Sequence, residues 1–378
     1  MSVHFKDILG QDKLKAKLRE SVNTERLAHT LMFSSEDGGS ALPMALALAQ
    51  YIHCENKAEE ACGTCSSCKQ WANFSHPDVH FSFPFAKQDT GQKVNKSSDL
   101  AEEWRSFLST TTYRTAYSWV MNNAADKKSL LIPKLEADAL FNSIKYKSFL
   151  GGYKIGIIWQ PEKLHPTASN FLLKMLEEPR DKTLYILVTA KVQDILPTIL
   201  SRVQHYRFLG NSIPEIQHYL TEKMGMNQAV AETAASLSSG SVGAALAYAE
   251  SLEGKVNYFN DFVAWMRMCF AKDLESINQF IESQAQLGRE VSKNFLIFCL
   301  EQFRKCLWLN TNAWALNDLP EKEQQFFVKF APYIRLSRMG KYDMYFNAAI
   351  ADILWNGNAK IIFTDLSFKI MVLLKPKP

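Results

Sequence analysis

Short apolar runs and helical stretches alternate over the first 208 residues of this 378-residue chain. Runs at Thr30–Ser34, Val79–Phe83, Lys154–Trp159, Leu184–Thr189 and Val203–Phe208 read as β-strands. Several are continuously apolar rather than alternating, which suits a parallel sheet buried on both faces. Between them, Leu42–Cys54, Leu135–Lys147 and Thr167–Leu176 carry apolar residues at helical spacing. Strand–helix repetition of this kind predicts an α/β doubly wound domain with a parallel sheet over residues 1–208. Residues 84–130 interrupt the pattern with a polar stretch, Ala86–Ser98, and then Trp104, Tyr113, Tyr117 and Trp119. They predict an insertion made of a loop followed by helix. Its aromatics either face a partner or pack the insertion onto the domain, and the burial tendency of aromatic rings favours packing.

After Leu209-Gly210-Asn211 no run reads as a strand. Residues 209–252 predict a small helical lid, with Asn227 as N-cap of a stretch that reaches Leu237. Residues 253–378 predict an all-α collar of long amphipathic helices such as Val256–Phe270 and Lys293–Leu309, ending in a frayed tail at Lys375–Pro378.

Composition changes this picture little. Hydrophobic residues make up 47% and charged residues 22%, and the net charge of +4 permits nucleic-acid contact without demanding it. No apolar run approaches the roughly 18–20 residues of a membrane span. Met1–Asp7 lacks the pattern of a signal peptide, so a cytoplasmic protein without a membrane partner is expected.

The seven cysteines add candidate chemistry. Four of them, Cys54, Cys62, Cys65 and Cys68, read C-x₇-C-x₂-C-x₂-C; Cys269, Cys299 and Cys306 sit in helical patterns. A Cys-x-x-Cys turn lets two thiolates bind one ion, and four thiolates close the tetrahedral shell of a structural zinc. Gly63 suits the tight turn between ligands. An iron–sulfur cluster is the rival, but its fourth ligand position reads Ala72. Free or disulfide-bonded thiols are a further alternative. His53 adjoins Cys54 but is not needed as a ligand. Glu55, Glu59 and Glu60 offset Lys57 and Lys69, so the module at about 54–71 reads as a stabilising or protein-contact element rather than a DNA-binding one.

Thr30–Ser34 runs into Ser35-Glu36-Asp37-Gly38-Gly39-Ser40-Ala41-Leu42, where a helix begins. A phosphate-binding loop at this place requires G-x-x-x-x-G-K-[ST], with backbone N–H groups, a lysine and a Mg²⁺-ligating hydroxyl around the phosphates. The loop has that length and holds Gly38 and Gly39. Its motif glycine positions, however, read Ser35 and Ser40, the lysine position Ala41 and the hydroxyl position Leu42. Glu36 and Asp37 add negative charge where a polyphosphate would sit. The acidic pair that would hold Mg²⁺ and activate water at the end of a later strand reads Trp159 and Gln160; Glu162, just beyond, reads as a solvated helix-start residue. No bound ATP is expected.

Three stretches carry a family resemblance: Phe5-Lys6-Asp7-Ile8-Leu9-Gly10-Gln11, Leu27-Ala28-His29-Thr30-Leu31, and, most specific, Asn170-Phe171-Leu172-Leu173-Lys174-Met175-Leu176-Glu177-Glu178-Pro179. From Phe5 to about Phe208 the chain resembles the delta-prime family of the bacterial DNA polymerase III clamp loader, an AAA+ family. By that resemblance Thr189 takes the sensor-1 position. Ser201-Arg202-Val203 takes the place of Ser-Arg-Cys, with Val203 the departure, and Gly243 stands where active relatives carry the sensor-2 arginine.

The resemblance implies a catalytically silent replication subunit in a hetero-pentamer with gamma/tau-type ATPases and a delta-type subunit. Such an assembly loads a sliding clamp onto primed DNA as part of the polymerase III holoenzyme. Arg202, with Ser201, would act as an arginine finger on a neighbour's ATP. A zinc module inserted at Cys54–Cys68 agrees with the family, and Lys174, Glu177 and Glu178 become candidates for subunit contacts. Two other readings are an active motor ATPase, which needs Lys at position 41 and acids at 159 and 160, and a zinc-dependent nucleic-acid-binding protein.

Overall fold

A computed structural model of the chain describes residues 3–86, 94–122, 130–145, 148–178, 180–253, 258–286, 289–311, 321–354 and 357–374. Part of the polar stretch at 86–98, Pro179 and the tail 375–378 therefore lie outside the described residues. The chain divides into two compact units, Met1–Leu246 and Ala247–Pro378.

The first unit is built on five strands: β1 (Thr30–Ser34), β2 (Val79–Ser82), β3 (Lys154–Trp159), β4 (Thr183–Thr189) and β5 (Gln204–Arg207). They form one sheet in the order β2-β3-β4-β1-β5, every neighbouring pair parallel. Every residue of β1, β3 and β4 is buried, which is the physical reason for their unbroken apolar sequences. Their side chains alternate between two cores. Leu31, Phe33, Ile155, Ile157, Leu184 and Ile186 enter one, while Met32, Ile158, Tyr185 and Leu187 enter the other. The edge strand β5 exposes Gln204, His205 and Arg207 and is shorter than the Val203–Phe208 run, because an edge strand is paired on one side only.

The helices of this unit begin with α1 (Asp12–Asn23), α2 (Ala41–His53), α3 (Ser66–Trp71), α4 (Ala101–Thr110), α5 (Ala116–Asn122), α6 (Lys134–Lys145), α7 (Pro166–Glu177) and α8 (Pro197–Leu200). After β5 come α9 (Ile213–His218), α10 (Gln228–Leu237) and α11 (Val242–Glu253), the last running across the boundary between the units. α10 starts immediately after Asn227, whose carbonyl accepts from Ala231 N at 2.9 Å. α2 lies on the first core, and α6, α7 and α8 share the second through Leu140, Ile144, Leu172, Met175, Leu176 and Ile199.

The 84–130 insertion supplies α4 and α5, and its aromatics pack inward. Trp104 stacks on Phe83 at 4.0 Å and meets Trp119 edge-on at 5.0 Å. Tyr113 is buried, with its hydroxyl accepting from Leu9 N. The Tyr117 side chain lies outside the described residues.

His80 on β2 is half-buried, and burial, with Lys154 next in effect, lowers its pKa from 6.5 to about 4. The unfolded chain therefore takes up a proton as pH falls through 6.5, which the folded chain resists until about 4. Stability is complete above pH 6.5 and is lost on the way down to 4. At pH 5 the loss from this group is about 2 kcal/mol. Denaturant titrations at pH 7 and pH 5 should show His80→Phe with a smaller drop than the parent; an equal drop would refute this account.

The second unit consists of α12 (Tyr258–Ala271), α13 (Leu274–Gln286), α14 (Arg289–Asn310), α15 (Glu321–Phe330), α16 (Leu336–Leu354) and α17 (Ala359–Leu373). No strand occurs among its described residues. Trp265, Phe262, Phe295, Phe303, Phe346 and Phe363 form its buried aromatic centre. No helix among the described residues is long and apolar enough to cross a membrane.

Candidate functional site

The loop after β1 is closed by the chain's own groups. Gly39 N donates to the Glu36 carbonyl at 2.8 Å, and Ala41 N donates to the Ser35 hydroxyl at 3.2 Å. In a phosphate-binding loop such N–H groups point at the ligand; here a serine in the first glycine position takes one of them. Asp37, exposed and acidic, accepts from Ala116 N at 2.9 and 3.0 Å, tying the loop to the start of α5. Ser241 Oγ donates to the Asp37 carbonyl at 2.6 Å, and Gly243 N donates to the Gly38 carbonyl at 2.9 Å.

That last contact leaves no room for a side chain at position 243. A Cβ on Gly243 would lie 2.8 Å from Gly38 Cα and 2.9 Å from its carbonyl oxygen. No arginine fits at 243 while the loop backbone rests there. Gly38 itself holds φ +74°, and its own Cβ would meet Thr115 at 2.8 Å and Ser241 at 2.9 Å. Chain segments 35–41, 115–116 and 241–243 thus fill one another's space.

The acid positions are equally committed. Trp159 is buried, 5.3 Å from Trp104 and 5.6 Å from Phe107 between ring centres, so the insertion's rings pack where a Mg²⁺-binding carboxylate would stand. Gln160 is buried in the left-handed region at φ 58°, with its N–H donating to Val188 O at 2.8 Å. Glu162 corrects the expectation of a solvated residue. It is half-buried, and Thr189, which the resemblance puts at the sensor-1 position, donates its hydroxyl to Glu162 Oε2 at 2.8 Å. Burial raises the Glu162 carboxyl above its usual range, a tendency opposed by the Thr189 hydroxyl.

Arg202 sits at the opposite end of the strands. β5 starts at Gln204, paired with Leu31, whereas the loop follows Ser34 at the other end of β1. At about 3.3 Å per residue, Arg202 is roughly 15–20 Å from its own loop. Its guanidinium bonds Glu177 at 2.9 Å, the Thr198 carbonyl at 2.9 Å and Ser201 Oγ at 3.2 Å. Glu177, from the most family-specific stretch, is therefore an intramolecular partner of Arg202 here. No local pattern signals that pairing, because the two residues lie 25 positions apart at the ends of separate helices. Both side chains are more than a third exposed, so the pair contributes at most about 1 kcal/mol.

The four cysteine sulfurs lie within 4.8 Å of one another. Tetrahedral zinc–thiolate geometry needs about 3.8 Å between sulfurs, and Cys62 and Cys68 are already at 4.0 Å. Cys54 closes α2, Cys65 caps α3 and Cys68 lies in its first turn, so two helix ends set the cluster. N–H groups of Cys62, Cys65 and Cys68 donate to the sulfurs of Cys54, Cys62 and Cys65 at 3.1, 3.3 and 3.4 Å. Bonds from Thr64 and Cys65 lower Cys62 to about 5, while burial pushes Cys54 and Cys68 up. A divalent cation at the centre would hold all four as thiolates.

His53 is not available as a ligand. Trp71 Nε1 donates to its Nδ1 at 3.2 Å, and its Nε2 bonds the Tyr153 carbonyl at 2.7 Å. One of the module's acids is used internally: the Glu60 carboxylate accepts from Phe5 N at 3.0 Å, while Arg19 reaches the backbone carbonyl of the exposed Glu59 at 2.7 Å.

A family described as DNA polymerase III, delta subunit, matches residues 10–212, more than half of the 378. The chain belongs to that DNA polymerase III subunit family. It is 26% identical over 224 residues to DNA polymerase III subunit delta' of Bacillus subtilis, covering 59% of this chain and 55% of that protein. Against the delta' subunit of Haemophilus influenzae it is 27% identical over 176 residues, 47% and 41% of the two chains. The tau subunit of Bacillus subtilis DNA polymerase III is 25% identical over 205 residues, 54% and 29%. The delta-prime resemblance of the sequence thus holds at family level, among subunits of DNA polymerase III. The delta-prime family member described here spans about half, or less, of the length of these relatives.

Proposed function

We propose that the chain is a non-catalytic clamp-loader subunit whose link to ATP chemistry is Arg202 acting on a neighbour. The observation that carries this reading is the loop at 35–42: two of its N–H groups are taken by Ser35 and Glu36, and its oxygens and space by Ala116, Ser241 and Gly243. The position of Arg202, at the far end of the strands from the loop and held lightly by Ser201 and Glu177, supports action in trans rather than on its own loop. On this reading gamma/tau-type ATPases and a delta-type subunit complete a hetero-pentamer in the cytoplasm. The assembly opens a sliding clamp and places it on primer–template DNA. Residues 1–208 act as the AAA+ domain, 209–252 as lid and 253–378 as collar. The cysteine cluster holds one structural zinc, and no ATP binds this subunit.

No feature of the described residues favours a motor ATPase, and the contacts of Glu60 with Phe5 N and of the Glu59 carbonyl with Arg19 favour a stabilising over a DNA-binding zinc module. Thermal unfolding with Mg·ATP tests the silent site. A ligand at 100 times its Kd stabilises by about 2.7 kcal/mol, several degrees in Tm. Millimolar Mg·ATP should leave the Tm of the zinc-loaded chain unchanged; a rise of several degrees would reopen the motor reading.

A further inference from the structure

α6, α7 and α8 form one layer, and all three end at the sheet edge from which β3, β4 and β5 start. Arg202 follows the end of α8, and Glu177, its partner, closes α7. Between α6 and β3 lies the turn Ser148–Gly152. There Phe149 is 82% exposed and Leu150 50%. Single exposed apolar residues are ordinary; two adjacent ones on a fixed turn are not. The Asp78 carboxylate, itself buried, accepts from Phe149 N at 2.6 Å, Leu150 N at 3.0 Å and Ser148 Oγ at 3.1 Å. Gly151 then takes φ +80°, a conformation that side chains strain to adopt. A buried carboxylate thus fixes the backbone under two side chains that touch solvent, the pre-organisation expected of a binding anchor.

We propose that Phe149 and Leu150 form an apolar anchor that enters a pocket on the same neighbouring subunit whose ATP receives Arg202. This rests on the reading of Arg202 as a finger. The edge from β3 to β5 spans three strand spacings, about 14 Å. A standard interface covers about 800 Å² per partner, a patch about 30 Å across. A patch of that size that takes in the start of β5 has room for the start of β3 and the turn before it.

The test uses the complex reconstituted with its ATPase subunits. Photoreactive benzoylphenylalanine in place of Phe149 should crosslink to the ATP-bearing neighbour. The Phe149→Ser/Leu150→Ser chain should need at least about tenfold more protein to reach half-maximal ATPase, with an unchanged plateau. Both side chains are exposed, so the variant should fold as the parent does. Crosslinking to the sliding clamp or to no partner, or an unshifted half-maximum, overturns the anchor. Arg202→Ala should instead lower the plateau without shifting incorporation, measured by sedimentation. If it does not, the finger fails, and the crosslink still decides the anchor on its own.

Discussion

Trp159→Asp, which restores a carboxylate at an ATPase acid position, should unfold the domain rather than revive the site. Trp159 is 5% exposed, and its ring touches those of Trp104 and Phe107. Removing a buried tryptophan costs about 3–5 kcal/mol. A carboxylate left among aromatic rings adds a desolvation cost of at least about 1–3 kcal/mol. At about 2–4 °C per kcal/mol, Tm should fall by roughly 10–30 °C or the protein should fail to express in soluble form. Trp159→Phe should cost far less. No Mg·ATP affinity should appear in either variant, since the loop remains closed by Ser35 and Gly243. A stable Trp159→Asp protein that binds Mg·ATP would overturn this view of how the site was lost.

Loss of the metal should have the other large effect. The segment around Cys54, Cys62, Cys65 and Cys68 has little apolar core of its own beyond Ala61 and the cysteines. Without an ion, Cys54 and Cys68 are buried thiols whose pKa burial raises, and the turn loses the charge that joins α2 to α3. Structural zinc contributes several kcal/mol to folding, on the order of 10 °C in a chain of this size. Cys68→Ser or prolonged chelation should lower Tm by about that much and free the N-terminal segment held through Glu60 and Arg19. Elemental analysis should give one zinc per chain. An unchanged Tm after chelation would reduce the cluster to free thiols.

The buried strands were legible because a central parallel strand has no solvent face, so β1, β3 and β4 are written as unbroken apolar runs. The proposed silent site was legible as substitutions, since Ala41, Leu42, Trp159 and Gln160 stand where a phosphate-binding loop and its acidic pair would require lysine, hydroxyl and acids. What fills the site was not. Asp37 reads as a repelling charge but caps α5 through Ala116. Glu162 reads as solvated but is held by Thr189. These pairings join segments 79 and 27 positions apart, and no local periodicity encodes them. Gly243 illustrates the same limit: as sequence it is a missing arginine, and in three dimensions it is the only residue that lets Gly38 approach.

The most direct measurement of the central claim is ATP hydrolysis by the reconstituted complex carrying Arg202→Ala. Because the Arg202–Glu177 pair is exposed, the variant should keep its fold and its place in the complex. An arginine finger is worth about 10³–10⁵ in rate. Hydrolysis at the one site facing this chain should therefore fall to near zero while the other sites keep their rates, and clamp loading should slow with it. Full hydrolysis and clamp loading by the Arg202→Ala complex would contradict the account.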